Sequence, residues 1–327
     1  MALLERPDPE GGGNYLNRPR ILYLGSSAFA VPPLEALHKA GYPIVAVVSQ
    51  PPKPAGRGMR LTPTPVHTLA EALRLSVLTP ARARDPQFIE QVRTLKPDLL
   101  ILAAYGKILP PELLQIAPLG NWNLHASLLP RYRGASPIQY ALLHGERETG
   151  VTLMEMVEEM DAGDIYLQRA VPIQPDDDAG TLEARLAQGA RELLLEGLAR
   201  LSAGTLTRTP QDSTQATYTR PIQKADARLR WEEAAELCAN RIRAFSPKPG
   251  AFTSFRGAHL KIWRALPVEY GHNAPPGTIL QAHPHTLLVA CGTDALQLKE
   301  VQPESRARMA AEAFVNGYQP QPGEQLG

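Results

Sequence analysis

Over the first half of this chain, short apolar runs alternate with segments of helical periodicity. ILYLG (21–25), YPIVAVVSQ (42–50), SVLTP (76–80), PDLLILAAYG (97–106) and NWNLHAS (121–127) read as strands. Between and after them, SSAFAVPPLEALHKAG (26–41), VHTLAEALRL (66–75), PQFIEQVRTL (86–95), LPPELLQIAP (109–118) and SPIQYALLHG (136–145) carry the helices, the first closed by Gly41. Strands that alternate with helices pair in parallel, with the helices covering both faces of the sheet. The predicted fold is therefore α/β, with a mostly parallel sheet. Ligands in such sheets bind at the carboxyl ends of strands. Gly25, Gln50, Tyr105–Gly106 and Ser127 lie there.

TGVTLMEMV (149–157) and IYLQRAVPI (165–173) read as two further strands. The segment 181–201 is a long helix whose Leu182, Leu186, Ala190, Leu193, Leu194 and Leu198 form an apolar stripe. A polar, Thr- and Gln-rich stretch follows. From about Asp226 the pattern changes to one helix (232–245) and a series of short strands punctuated by Gly and Pro, as in a small antiparallel barrel. A length of 327 residues suits two domains. The expected organisation is a leader over 1–19, a catalytic domain over 20–203, a linker over 204–225 and a C-terminal domain over 226–327. The leader holds Gly11–Gly13, Glu5, Asp8 and Glu10 and lacks the apolar core of a signal peptide. Proline is abundant, at 32 residues, which predicts stiffened connections.

The formal net charge of +1 advertises no polyanion partner for the whole chain, so any basic surface must be local. Cys238 and Cys291 form no CxxC pair, neither a disulfide framework nor a zinc site, and fit a reducing cytoplasmic compartment. HPH (283–285) has no further ligands in view and reads as a turn, so no metal is expected. No apolar stretch is long enough to span a membrane.

Asn123 and His125 alternate along one strand and project from one face. Taken alone, the pair is as readily a buried histidine satisfied by backbone with an Asn in a turn. Its position at the end of a parallel strand favours function. EEMDAGDI (158–165) places Asp161 in a turn around Gly163, where Asp and Gly are ordinary turn residues. In the functional reading Asp161 meets and orients His125. An amide, an imidazole and a carboxylate together suit attack on a carbonyl carbon, with donors for the oxyanion and a group to move protons. Ser26 and Ser27 do not form GxSxG, so direct transfer between two substrates fits better than an acyl-enzyme. The stretch 50–66 exceeds the usual strand-to-helix connection and holds Lys53, Arg57 and Arg60 without an acid, which suits an anionic partner such as phosphate. In the C-terminal region Arg228, Arg230, Arg241, Arg243, Lys248, Arg256, Lys261 and Arg264 stand against Glu232, Glu233 and Glu236. Such a cluster is either a solvated surface or an RNA-backbone face.

GSSAFAVPPLEAL (25–37), QPPKPAGRG (50–58), AAYGKILP (103–110), NLHASLLPRYRGASPIQ (123–139), ETGVTLMEM (148–156), MDAGDI (160–165) and RAFSPKPGAF (243–252) together resemble the methionyl-tRNA formyltransferase family, from about Arg20 to near the C-terminus. The NxHxSLLPxxRGAxP stretch marks the wider folate-dependent formyltransferase group and does not name the acceptor. The resemblance implies a Rossmann-like catalytic sheet and a C-terminal OB-like β-barrel. It implies formyl transfer from 10-formyltetrahydrofolate to the amino group of methionyl initiator tRNA, in a cytoplasmic monomer. It carries Asn123, His125 and Asp161 over as the catalytic trio. Ser127, Leu128, Leu129 and Pro130 become the folate site, and Arg57, assisted by Lys53 and Arg60, the contact to the tRNA acceptor end. Two positions depart from the family: Ala162 stands where Thr is more frequent, and Met59 precedes Arg60 where many members have two basic residues. The same core could serve a glycinamide ribonucleotide or nucleotide-sugar acceptor, or the chain could bind tRNA without catalysis. The basic 50–66 loop argues against the first two, and the intact trio against the third.

Overall fold

The computed structural model describes residues 18–55, 59–283 and 285–327. The expected leader up to residue 17, Arg57 with its two flanking glycines, and Pro284 of the HPH turn lie outside the described residues. In chain order the strands of the first half are β1 (Ile21–Gly25), β2 (Ile44–Val48), β3 (Lys53–Ala55), β4 (Arg60–Thr62), β5 (Val77–Leu78), β6 (Leu99–Ala103), β7 (Asn121–His125), β8 (Arg133–Gly134), β9 (Glu148–Glu155) and β10 (Ile165–Pro172). The helices there are α1 (Val31–Lys39), α2 (Pro65–Ala72), α3 (Pro86–Leu95), α4 (Pro111–Leu114), α5 (Pro137–Leu143) and α6 (Ala179–Ser202). The chain divides into two compact units. One runs through Ala135 and adds Thr149–Val171 and Glu183–Tyr218; the other gathers Ser136–Glu148, Pro172–Leu182 and Thr219–Gly327.

The first unit is built on a seven-stranded sheet of order β10-β9-β7-β6-β1-β2-β5. The pairs β1–β2, β1–β6, β2–β5 and β6–β7 are parallel, and β7–β9 is antiparallel. This is the mostly parallel α/β sheet that the sequence predicts. Every residue of β1 is buried because helices cover both faces. Leu22, Leu24, Val48 and Leu100 form one core cluster with Phe88 and Val92 of α3 and Leu113 of α4. Burying each such aliphatic side chain contributes about 1.5–3 kcal/mol, far more than helix propensity does. Proline also shapes this unit by opening helices: Pro65, Pro86, Pro111 and Pro137 are the first residues of α2, α3, α4 and α5. A first-turn N–H has no helical partner, so its loss there costs nothing. Thr64 and Asp85 then cap α2 and α3 by accepting from the His67 and Gln87 N–H groups. The helix expected over 109–118 is shorter, one turn at Pro111–Leu114, because Pro118 and Gly120 (φ +92°) turn the chain into β7.

The basic stretch 50–66, expected as a long loop, holds a small antiparallel hairpin. Lys53 pairs with Thr62, Pro54 with Leu61 and Ala55 with Arg60. No run of alternating apolar residues announces it, because all of β4 is exposed. The stretch 204–225 is also structured. Thr209 forms a two-way backbone bridge with Ile165, β11 (Tyr218–Thr219) pairs with β8, and Arg220 makes two hydrogen bonds to Asp226, which holds that carboxyl down to about 2.

The second unit carries β12 (Ala251–Phe255), β13 (Ala258–Val268), β14 (Ile279–His283), β15 (Thr286–Ala290), β16 (Ala295–Pro303) and β17 (Met309–Ala310), with α7 (Ala235–Phe245) and α8 (Ala311–Tyr318). Its sheet runs β12-β13-β16-β15-β14, with β17 on β16, and the registered pairs are antiparallel. That order is compatible with the OB-like barrel expected from the resemblance. Cys238 and Cys291 are both buried in its core beside Trp231, Ile262 and Leu296. The reading of short strands did not include α8, which packs Phe314 against Phe255 with ring centroids 5.4 Å apart.

One glycine ties the sheet to the chain leaving β7. A Cβ on Gly150 of β9 would lie 2.3 Å from the Arg169 carbonyl oxygen and 2.5 Å from Leu128 Cδ2. Backbone cannot yield cheaply at that distance. Gly150→Ala is expected to lower stability by about 1–3 kcal/mol in a denaturant titration. Gly271→Ala, which meets nothing within 4 Å, should leave the midpoint unchanged.

Candidate active site

Strand β7 places its residues alternately. Trp122 and Leu124 are buried on one face, where a Cβ on Gly197 of α6 would lie 3.5 Å from the Trp122 ring. Asn121, Asn123 and His125 share the other. The Asn121 amide donates to the Leu114 carbonyl and its oxygen accepts from the Met156 N–H, so it is structural. Asn123 and His125 are 7% and 6% exposed.

The three residues of the predicted trio converge. Asn123 Nδ2 lies 3.4 Å from Asp161 Oδ1, and His125 Nδ1 lies 3.6 Å from Asp161 Oδ2. A carboxylate only accepts, so the amide must turn its nitrogen to Oδ1; its second N–H stays available. His125 Nε2 is 2.9 Å from the Tyr132 carbonyl oxygen. A carbonyl accepts only, so Nε2 carries a proton and Nδ1 is the nitrogen that faces the site.

Asp161 adopts a left-handed backbone, φ +53°. That conformation costs a non-glycine residue about 1–2 kcal/mol. The Gly134 N–H donates to Asp161 Oδ2 at 2.8 Å, and a hydrogen bond to a charged group contributes about 1.5–3 kcal/mol, enough to offset the strain. Gly134 itself sits at φ +109°, which a side chain would oppose. Gly163 completes the turn: a Cβ there would lie 2.0 Å from the Glu155 carbonyl oxygen.

The segment after β7 is a rigid ledge. The Ser127 hydroxyl donates to the Arg131 carbonyl at 2.6 Å, and the side chain is fully buried. Thr152 of β9 donates to the Ser127 carbonyl and accepts from the Leu129 N–H. Gln168 donates to the Leu129 carbonyl, and the Leu129–Pro130 peptide is cis. Of the four predicted folate residues, Ser127 and Leu129 point into the protein, whereas Leu128 and Pro130 are half-buried. The surface offered to a ligand is therefore apolar and comes from those two.

Lys53 and Arg60 lie on the hairpin, exposed. Lys53 Nζ donates to Gln50 Oε1, the Gln50 amide donates to the Tyr105 carbonyl, and the Ser26 hydroxyl bridges the Gln50 N–H and that same carbonyl. The hairpin's base is thus bonded to the carboxyl ends of β1, β2 and β6. β2 stands three strands from β7, roughly 14 Å at ~4.8 Å per strand. Arg57, predicted to lead this group, lies outside the described residues. Lys107, absent from the predicted site, donates to the Pro80 and Ala81 carbonyls, and burial and the Lys53 charge push its pKa down. Met59, Leu61 and Ile108 are exposed apolar residues of the same unit.

In the second unit the basic cluster divides. Arg241 makes two bonds to Glu233, Arg256 two to Glu324, Arg243 reaches the Gln174 and Pro175 carbonyls, and Lys261 binds the Pro249 carbonyl beside the Trp263 ring. Arg230 faces Glu233 at 3.5 Å. Arg228, Lys248 and Arg264 are exposed and have no partner among the described residues.

Several supports were not identified as site residues from the sequence: the Tyr132 carbonyl, the Gly134 N–H, Thr217 and Gln211. Thr217 Oγ1 accepts from the Tyr132 N–H, and its carbonyl accepts from the Arg133 N–H. Tyr132 and Gly134 act through backbone, which leaves no signal in residue type. Gln211 and Thr217 sit in a stretch whose composition reads as a linker.

The fold and the paired strand-end polar groups define a group-transfer enzyme of the formyl transferase class. Residues 19–198 match the formyl transferase family model, and residues 221–319 match the model of the formyl transferase C-terminal domain. The chain belongs to the formyl transferase family. It is 47% identical over 300 residues to methionyl-tRNA formyltransferase of Symbiobacterium thermophilum, covering 91% of this chain and 92% of that one. Against methionyl-tRNA formyltransferase of Enterococcus faecalis it is 43% identical over 299 residues, 91% and 96% of the two chains. Among solved structures, the N-formyltransferase from Helicobacter canadensis with folinic acid and dTDP-3-aminofucose superposes with TM-score 0.65 at 18% identity, over 85% of this chain and 98% of that one. HypX from Aquifex aeolicus with tetrahydrofolic acid superposes with TM-score 0.64 at 19% identity, over 94% and 49%. These last two likenesses establish the fold.

The ring geometry predicts a specific tautomer. Imidazole NMR on isotope-labelled protein should place the proton of neutral His125 on Nε2. A proton found on Nδ1 alone would contradict the Tyr132 contact.

Proposed function

We propose that this chain transfers the formyl group of 10-formyltetrahydrofolate to the amino group of methionyl initiator tRNA, as a cytoplasmic monomer that serves translation initiation. The observation that supports the reaction is the preassembled Asn123–Asp161–His125 group, with one amide N–H left to face a substrate and the imidazole Nδ1 turned to Asp161. The full-length relationship to methionyl-tRNA formyltransferases supports the acceptor. None of the helices among the described residues is long and apolar enough to cross a membrane, which accords with a cytoplasmic site of action.

Attack of an amine on a formyl carbon places negative charge on the formyl oxygen. An unperturbed α-amine has a pKa near ~8, so a good fraction is already neutral and little base strength is needed. Stabilising the oxygen is the harder task. The spare N–H of Asn123 is in place for it, and a protonated His125 supplies a second donor when its Nδ1–H turns from Asp161, 3.6 Å away, to the oxygen. Asp161 holds both groups and accepts the proton that the attacking nitrogen loses; as the formyl carbon–N10 bond breaks, that proton passes to N10 of the departing tetrahydrofolate. The apolar Leu128 and Pro130 are suited to carry the formyl donor beside them.

Asn123→Ala and His125→Ala are each expected to reduce turnover by ~10²–10³-fold, the usual contribution of one oxyanion donor, while tRNA binding changes little. The deciding assay supplies 10-formyltetrahydrofolate with methionine-charged initiator or elongator tRNA. Formylation of the initiator alone is expected, and no product from it would overturn the reading.

The acceptor rests on a different set of residues. Lys53, Arg57 and Arg60, on and between the strands of the hairpin, are proposed to hold the phosphates at the tRNA acceptor end, and Arg228, Lys248 and Arg264 to hold the tRNA body. Lys53→Ala, Arg57→Ala and Arg60→Ala should each raise the tRNA KM and flatten the salt dependence of binding by about one phosphate contact, leaving the folate KM unchanged.

A further inference from the structure

We propose that Gln211 is a positioning residue for formyl transfer, setting the Asp161 carboxylate in register with Asn123 and His125. The inference rests on the catalytic reading of Asp161 given above. Gln211 Oε1 accepts from Arg133 Nε at 3.1 Å and Nη2 at 2.9 Å. Its Nε2 donates to the Asp161 carbonyl at 2.8 Å and to the Gly163 carbonyl at 2.7 Å. One side-chain amide thus uses both donors on the 161–163 backbone and its acceptor on the Arg133 guanidinium.

Those two segments are the ones that hold the carboxylate. Residues 161–163 form the left-handed turn that carries Asp161. Arg133 belongs to β8, and the next residue, Gly134, donates to Asp161 Oδ2. Gln211 thus links the Asp161 main chain, through the Arg133 side chain, to the residue beside the N–H that captures its carboxylate. Arg133 is fully buried, so its guanidinium needs this acceptor and is itself fixed by it. Gln211 is anchored in turn by the adjacent Thr209–Ile165 bridge, with bonds of 2.8 and 2.9 Å. The amide touches none of the trio's reacting atoms, so it acts through Asp161.

The test uses the full chain and steady-state kinetics in both substrates. Gln211→Met removes all four bonds. Gln211→Glu keeps an acceptor for Arg133 but turns an oxygen towards two carbonyls. Both are expected to lower kcat by about 10- to 100-fold, the effect of a misplacement near 1 Å, with both KM values within about twofold of the parent and the protein still folded at the assay temperature although its folding midpoint falls. Wild-type kcat in either folded variant overturns the proposal. So does a KM change as large as the kcat change. Failure of both variants to fold would make Gln211 a stability residue and overturns it as well. Asp161→Ala separates the two readings. If that variant turns over at the wild-type rate, the catalytic role of Asp161 falls and this proposal with it. If it is slow while the Gln211 variants are not, only the positioning role falls.

Discussion

The site depends on one carboxylate held where its own backbone does not favour it. Asp161 sits in a left-handed turn, and the Gly134 N–H draws its side chain towards β7. Gly134 itself sits at φ +109°, a conformation that glycine reaches without strain. A glycine in one segment and strain in another are therefore one device. Their energies are of similar size and opposite sign, so the carboxylate is fixed at little net cost.

The sheet supplies the frame for this device. β7 lies between β6, parallel, and β9, antiparallel. β9 ends opposite Trp122, at the amino end of β7, and the turn after it folds Asp161 back towards Asn123 and His125. Thr152 of β9 then bonds both sides of the Ser127–Leu129 ledge, so the strand that brings the carboxylate also fixes the apolar surface beside it. On the other side of the sheet, the Gln50–Tyr105–Ser26 bonds fix the base of the basic hairpin to three strand ends.

Much of this was legible in the residues. The strand–helix alternation gave the parallel sheet because burial on both faces leaves a continuous apolar run, as in ILYLG. Asn123 and His125 were legible because their spacing of two places them on one face of a strand. Other parts were hidden for physical reasons. The β3–β4 hairpin is exposed, so no apolar alternation marks it. The Tyr132 and Gly134 contributions are made by backbone atoms. Gln211 acts on residues about fifty and eighty positions away in sequence, a separation that periodicity cannot read. The eight-residue basic cluster was visible only as a count. Arg241, Arg243 and Arg256 turn out to bind groups of their own unit, and only the fold separates them from Arg228, Lys248 and Arg264.

That separation bears on how chemistry and affinity divide within the chain. A charge paired with Glu233 or Glu324 is neutralised where it stands and adds little attraction for a polyanion. An unpaired, exposed Arg or Lys keeps its field and releases counterions on contact. The proposed catalytic group works the other way: Asn123 and His125 are enclosed, and fixed donors are worth most where water is excluded. A chain with net charge +1 can therefore present strong local attraction to RNA through a few unpaired cations on separate elements. The proposed trio, with Asn123 and His125 buried, shares no residue with those cations.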